Sequence, residues 1–160
     1  MKTQIIAIAA LAGCATSVSM PDSLKPAAGE SLALVVPAKG DQIYECRGGK
    51  WAFVAPEAEL FDRAGKKIGR HYAGPHWESL DGSRIVGAVK ARADAPRAGD
   101  DIPWLLLSAK SVGAEGAFSK VTSIQRVTTT GGRAPIEPCS QDGTRARVPY
   151  TADYYFFTAK

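Results

Sequence analysis

Short runs of β-branched and aromatic residues recur along the chain between glycine and proline punctuation. Eight of them predict strands: Ser31–Val36, Gln42–Arg47, Lys50–Val54, Lys67–Ala73, Arg84–Lys90, Trp104–Ser108, Ser123–Thr129 and Tyr150–Thr158. The separators Gly48-Gly49, Ala64-Gly65, Asp81-Gly82, Gly131-Gly132 and Asp142-Gly143 supply the positive φ angles that chain reversals need. Alternation assigns faces. Gln42, Tyr44 and Cys46 oppose Ile43, Glu45 and Arg47, and Ile85, Gly87 and Val89 oppose Arg84, Val86, Ala88 and Lys90. Helical periodicity is nearly absent: Pro56–Phe61 has the composition of a single helical turn, and glycines limit Ser111–Phe118 to no more than that. The fold class expected is all-β, a single-domain antiparallel β-sandwich or partly open β-barrel with short hairpins over residues 30–160.

The clearest hairpin runs from Trp77 to Val86, with Asp81-Gly82 at its turn and Trp77 opposite Val86 if the loop has two residues. The last strand is aromatic, with Tyr150, Tyr154 and Phe156 on one side and Tyr155 and Phe157 on the other, as expected of a strand covered on both faces. Barrels that span outer membranes need many strands of about 9–11 residues, and most of the predicted runs are shorter, which argues for a soluble tethered domain.

The N-terminus changes the picture of location. Lys2, an apolar run from Ile5, and Leu11-Ala12-Gly13-Cys14 form a short secretory signal ending in a sequence that resembles the lipobox of bacterial lipoproteins. The expected division is a signal peptide over 1–13, a flexible tether over 14–29 rich in Ser, Thr, Pro and Ala, and the β-rich domain from residue 30. Cleavage leaves Cys14 as an acylated N-terminus, a membrane anchor that does not span, because each buried CH₂ contributes about 0.8 kcal/mol. Ala15 follows it where inner-membrane retention typically uses Asp, so the outer membrane, facing the periplasm, is the expected address.

With 160 residues, 45% of them apolar and 22% charged, one packed domain is expected and wholesale disorder is excluded. The net charge of +4 does not by itself indicate nucleic acid. Lys120, Arg126, Arg133, Arg145 and Arg147, against Glu137 and Asp142, concentrate positive charge between residues 119 and 149. Such a stretch is a solvated loop face in the usual case, and a face for anionic envelope lipid or glycan in the other. Asp153, in an apolar strand, needs a partner, for which Arg126 is the candidate.

Assigning Cys14 to lipid leaves Cys46 and Cys139 in an oxidising compartment, where one bridge is expected. It closes a loop of roughly 94 residues, for which the chain-entropy model gives about 4.7 kcal/mol. Two unpaired buried thiols are the alternative. The two histidines fall in His71-Tyr72-Ala73-Gly74-Pro75-His76-Trp77-Glu78. His71, His76, Glu78 and Asp81 are competent acid–base or metal groups. A His-x₄-His pair off a helix nevertheless lacks the fixed spacing of zinc motifs, so a hydrogen-bonded hairpin corner is the preferred reading. No Gly-x-Ser-x-Gly elbow, phosphate-binding glycine loop or Cys-x-x-Cys pair is present in the sequence.

Several blocks carry a family resemblance: Gln42-Ile43-Tyr44-Glu45-Cys46, Trp51-x-Phe53-x-Ala55-Pro56-Glu57-Ala58, Gly69-x-His71-Tyr72-Ala73-Gly74-Pro75-x-Trp77-Glu78-x-x-Asp81-Gly82-Ser83, Ile102-Pro103-Trp104-Leu105-Leu106-Leu107, Ile124-Gln125-Arg126, Gly131-Gly132-x-Ala134-Pro135, and Val148-Pro149-Tyr150-Thr151-Ala152-Asp153-Tyr154-Tyr155-Phe156. From about residue 31 to 158 the chain resembles domain-of-unknown-function family 3455. The resemblance implies an exported protein with a shared β-rich domain and supplies no substrate. Members of that family often carry Thr at the position of His76, which leaves His71, Tyr72, Trp77 and Glu78 as the candidate ligand set, with Arg126 as an anion contact.

The functional expectation is a lipid-anchored cell-envelope lipoprotein that serves as a binding or structural module. The alternative is a small-molecule or metal-dependent enzyme or binder with a cleft around His71, Trp77 and Glu78. No catalytic residue, cofactor, metal or nucleic-acid partner is assigned from the sequence, and the oligomeric state is left open.

Overall fold

The computed structural model describes residues 19–160. Cys14 and the signal peptide lie outside the described residues. Eight antiparallel strands follow one another around a closed barrel: β1 (Glu30–Arg47), β2 (Lys50–Phe61), β3 (Lys67–Tyr72), β4 (His76–Ser79), β5 (Arg84–Ala93), β6 (Trp104–Ser111), β7 (Val121–Gly131) and β8 (Arg145–Ala159). The all-β expectation holds. The arrangement is a barrel rather than a sandwich, and it is closed rather than partly open, because β1 pairs with β8 from Glu30↔Ala159 to Glu45↔Arg145.

Two of the predicted runs are one strand. Ser31–Val36 and Gln42–Arg47 join through Pro37 and Gly40 into an 18-residue β1. Pro37 is tolerated because its paired partner lies on β8, whereas pairing with β2 begins one residue later, at Ala38. The single helical turn anticipated over Pro56–Phe61 does not form. That segment continues β2, with Ala58 and Leu60 buried and Glu57 and Glu59 exposed, so period-two burial overrides the helical preference of Glu and Ala. The hairpin register also differs by one residue: Trp77 faces Ile85 rather than Val86, because the reversal has three residues, Leu80, Asp81 and Gly82, closed by the Ser79 amide donating to the Ser83 carbonyl.

Turns alternate between the two barrel ends. At one end the β6–β7 connection folds inward, and Phe118, fully buried, meets Phe156 edge-on at 4.9 Å. Ser83 Oγ accepts from the Phe118 amide, and Asp81 accepts from Ser83 and from the Ala117 amide, so the plug is tied to the β4–β5 reversal. Above it the interior is packed by Val36, Leu60, Ile85, Leu107, Ile124 and Phe156. Gly87 belongs to this layer because a β-carbon there would come within 2.7 Å of the Trp77 indole.

The outer wall carries ion pairs between neighbouring strands, including Lys67–Glu59, Arg70–Glu78, Arg145–Glu45 and Arg147 with both Asp41 and Glu57. Strand length does not exclude a membrane-spanning barrel as the short predicted runs suggested, since β1, β2, β7 and β8 have 18, 12, 11 and 15 residues. The charged wall supplies the physical objection instead, because a spanning barrel presents an apolar band to lipid.

Part of the wall is covered. Leu24, in the short 3₁₀ turn Asp22–Leu24, is fully buried with Ala95, Trp104, Leu106 and Val127, and Met20 and Tyr155 pack against this cluster. Gln125 Nε2 donates to the Leu24 carbonyl at 2.6 Å. Glu30 is held at the plugged end by Thr122 and Ser123, so residues 20–29 climb the outside of the barrel away from that end. Asp153 also faces outward and accepts from Thr128 Oγ1. Its anticipated partner, Arg126, lies opposite Tyr154 and points into the barrel, since neighbouring residues of a strand project to opposite faces.

Candidate functional site

The end opposite the Phe118 plug is open. There the β3–β4 turn, the β5–β6 connection and the β7–β8 loop surround a cavity of about 750 Å³. That volume falls within the range of small-molecule sites, and an eight-stranded barrel is wide enough to hold one small ligand. The wall is mixed in character: Phe53, Val89, Leu105, Leu107 and Ile136 are apolar, and Gln42, Tyr44, His71, Arg126 and Tyr154 are polar.

The floor is built from cross-strand pairs. His71 on β3 faces Trp77 on β4, their rings stacked at 4.2 Å with an 18° interplanar angle. Tyr154, from β8 across the barrel, meets both rings edge-on at 5.1 and 5.4 Å. Its hydroxyl lies 3.2 Å from that of Tyr150, and burial raises the proton affinity of both phenols. Between His71 and Trp77 the chain reverses through a cis Gly74-Pro75 bond, with Gly74 at φ 146° against the His76 imidazole, where a β-carbon has no room.

His71 Nδ1 donates to the His76 carbonyl at 2.8 Å, which makes Nε2 the unprotonated nitrogen. Burial lowers its pKa to about 3, so the ring is neutral at physiological pH. Arg126 donates through Nε and Nη2 to the Pro103 carbonyl. The Tyr44 hydroxyl donates to the Gly132 carbonyl at 2.5 Å. Two buried donors among the lining residues, Gln42 Nε2 and Trp77 Nε1, have no protein acceptor. An unpaired buried donor costs free energy.

The five candidate ligand residues divide between the two faces of the barrel wall. His71, Trp77 and Arg126 line the cavity. Tyr72 and Glu78 point outward: Tyr72 donates to Glu78 Oε2 and stacks on His76, and Glu78 also pairs with Arg70 and Arg84. The hydrogen bond from Tyr72, then that from Arg70, holds the Glu78 carboxyl below its ordinary range. His71 and Tyr72 are adjacent on β3, as Trp77 and Glu78 are on β4, so alternation separates each pair. A cleft that joins His71 to Glu78 does not exist, and no cluster of His, Cys, Asp or Glu suited to a metal occurs among the described residues.

Sequence reasoning missed Gln42, Tyr44, Arg92, Arg133 and Tyr154 as lining residues. The alternating set Gln42, Tyr44 and Cys46 was a usable signal for the first two. The stretch of positive charge disperses: Arg145 and Arg147 are paired on the outer wall, Arg126 is inside, and Arg133 sits at the cavity mouth. Cys46 and Cys139 form a disulfide with a Cα–Cα distance of 5.7 Å. It fastens the β7–β8 loop, which carries Arg133, Ala134 and Ile136 into the cavity rim. Trp51 Nε1 donates to the Glu137 carbonyl and holds the same loop.

A family model described as "Protein of unknown function (DUF3455)" matches residues 26–158, a span that includes all eight strands up to the last residues of β8. The chain belongs to the DUF3455 family. Among curated proteins and solved structures, none matches it. Within this DUF3455 chain, the matched span contains every residue of the cavity wall.

Proposed function

We propose that this DUF3455 protein is an exported, lipid-anchored binding module of the cell envelope, and that the barrel cavity is its ligand seat. The observation that carries the binding role is the cavity itself: the plugged end is filled by Phe118, Phe156 and their buried neighbours, and the open end keeps about 750 Å³ lined by His71, Trp77 and Arg126. Binding is favoured over acid–base chemistry because the cavity's one histidine is held neutral, with Nδ1 committed to a carbonyl, and no carboxylate lines the wall. Filling the space tests this. Val89→Trp, at a cavity-lining position that is 47% exposed, puts a ring into the space and is expected to lower the affinity for an environment-sensitive apolar dye by about tenfold or more, with little change in melting temperature. Dye binding unaffected by the ring would remove the cavity from the account.

The anchoring half of the proposal rests on Leu11-Ala12-Gly13-Cys14 and the charged and apolar regions before it. The Cys46–Cys139 bridge is consistent with an oxidising compartment. Residues 20–29 run along the outer wall away from the plugged end. Cys14→Ser is expected to move the protein from the membrane to the soluble fraction and to remove the acyl mass. Unchanged fractionation and mass would show that Cys14 carries no lipid.

A further inference from the structure

The charges around the cavity are one-sided. Arg92, Arg126 and Arg133 line it, and no Asp or Glu does. Elsewhere on the barrel Arg47, Arg70, Arg84, Arg97, Arg145 and Arg147 each meet a carboxylate, and among the described residues Arg63 does not. The three cavity arginines form no ion pair among the described residues. A half-buried cation such as Arg126 in a largely apolar space without a counterion is unfavourable, and an anion supplied from outside relieves it.

Arg126 is the central one. It sits half-buried between Leu105 and Tyr154 in the sheet, with the Pro103 carbonyl taking Nε and Nη2 and the rest of its donor fork without a charged acceptor. It lines the same cavity as Tyr44, His71 and Tyr154, and Tyr154 is its cross-strand partner. Arg92 and Arg133 are exposed at the mouth, where cations raise the capture rate of an anion more than they hold it. The planar fork of one arginine matches a carboxylate, which it can grip with two parallel hydrogen bonds.

We infer that the cavity takes a small organic carboxylate with an apolar body, its head group on Arg126 and its body along Phe53, Val89, Leu105 and Leu107. This rests on the binding role proposed above and adds the class of ligand. A linear alkanoate and an aryl carboxylate share the chemistry, so both serve as probes.

The test uses the full chain carrying Cys14→Ser, exported and purified without detergent. Calorimetric titration with dodecanoate below its micellar range and with 2-naphthoate is compared with dodecylammonium, dodecanol and 2-naphthol. At least one carboxylate is expected to bind about tenfold or more tightly than its alcohol or ammonium counterpart. Arg126→Gln abolishes that preference and Arg126→Lys keeps part of it. Arg133→Glu, at an exposed position that does not threaten the fold, lowers carboxylate affinity several-fold and weakens its salt dependence. Whichever carboxylate binds identifies the acyl or the aromatic source. If alcohol, ammonium and carboxylate bind equally and both arginine variants are silent, the anion inference is overturned while the binding role stands. If the apolar dye binds but no carboxylate does, the inference is likewise overturned; if neither the dye nor any probe binds, the binding role falls with it.

Discussion

Reduction of the Cys46–Cys139 bridge is expected to lower the melting temperature by roughly 6–15 °C, the equivalent of about 2–5 kcal/mol in a domain of this size. The bridge joins residues 93 apart in sequence, so its loss returns a long loop's worth of freedom to the unfolded chain. It also loosens the native β7–β8 loop, whose other ties include the Trp51–Glu137 hydrogen bond, the Tyr44 hydroxyl on the Gly132 carbonyl, the Cys139 amide donating to the Gly49 carbonyl, the Gly143 amide donating to the Cys46 carbonyl, and Asp142 on the Gly48 amide. Because that loop carries Arg133 and Ile136 into the cavity rim, ligand affinity is expected to fall in the reduced protein well below its melting temperature. Thermal melts with and without a phosphine reductant, each repeated with bound probe, check both effects. A shift under about 2 °C would mean that the loop is held without the bridge.

Acidification gives the second large effect, through His71. Its folded-state pKa of about 3 lies below the ordinary 6.5, and burial is the main cause. Between those values the unfolded chain binds the proton and the folded one does not. Stability is therefore complete above pH 6.5 and falls as the pH drops towards 3, with a slope approaching about 1.4 kcal/mol per pH unit. Glu30, Glu45 and Glu78, whose carboxyls are held below their ordinary 4.5, lose their contribution only as the pH falls beneath that value. Urea denaturation between pH 6.5 and 4.5 thus isolates the histidine. His71→Phe, which keeps a ring against Trp77 but loses the bond to the His76 carbonyl, is expected to be less stable at pH 7 and much flatter across that window. Equal slopes in the two proteins would show that the imidazole accepts its proton without unfolding the floor.

The strands were legible wherever β-branched and aromatic residues clustered, as at Ile124–Thr129 and Tyr154–Phe157. They were least legible where small or turn-forming residues serve the barrel's curvature. Pro37 and Gly40 read as breaks but lie within β1, and a β-carbon at Gly40 would collide with the Glu57 carbonyl. Closure was beyond local pattern, because it depends on β1 meeting β8. The site was half legible for a related reason. His71, Trp77 and Arg126 stood out as chemistry-bearing residues, but their neighbours Tyr72 and Glu78 were grouped with them by nearness in sequence, whereas the wall of a barrel separates residues by parity. Gln42 and Tyr44, thirty residues away in sequence by rough count, come to the same cavity because the barrel closes.

The pairing of β1 with β8 also dictates the order of events in folding. The strand made first waits for the strand made last, and the two then zip along most of their length, with Lys160 reaching back to the Gly29 carbonyl. Until that happens both are bare edges open to other chains, and the many distant contacts make this a slow-folding topology. The barrel can therefore be completed only after β8 has emerged, and a chain that lacks Arg145–Ala159 leaves β1 paired with β2 alone rather than forming a smaller barrel.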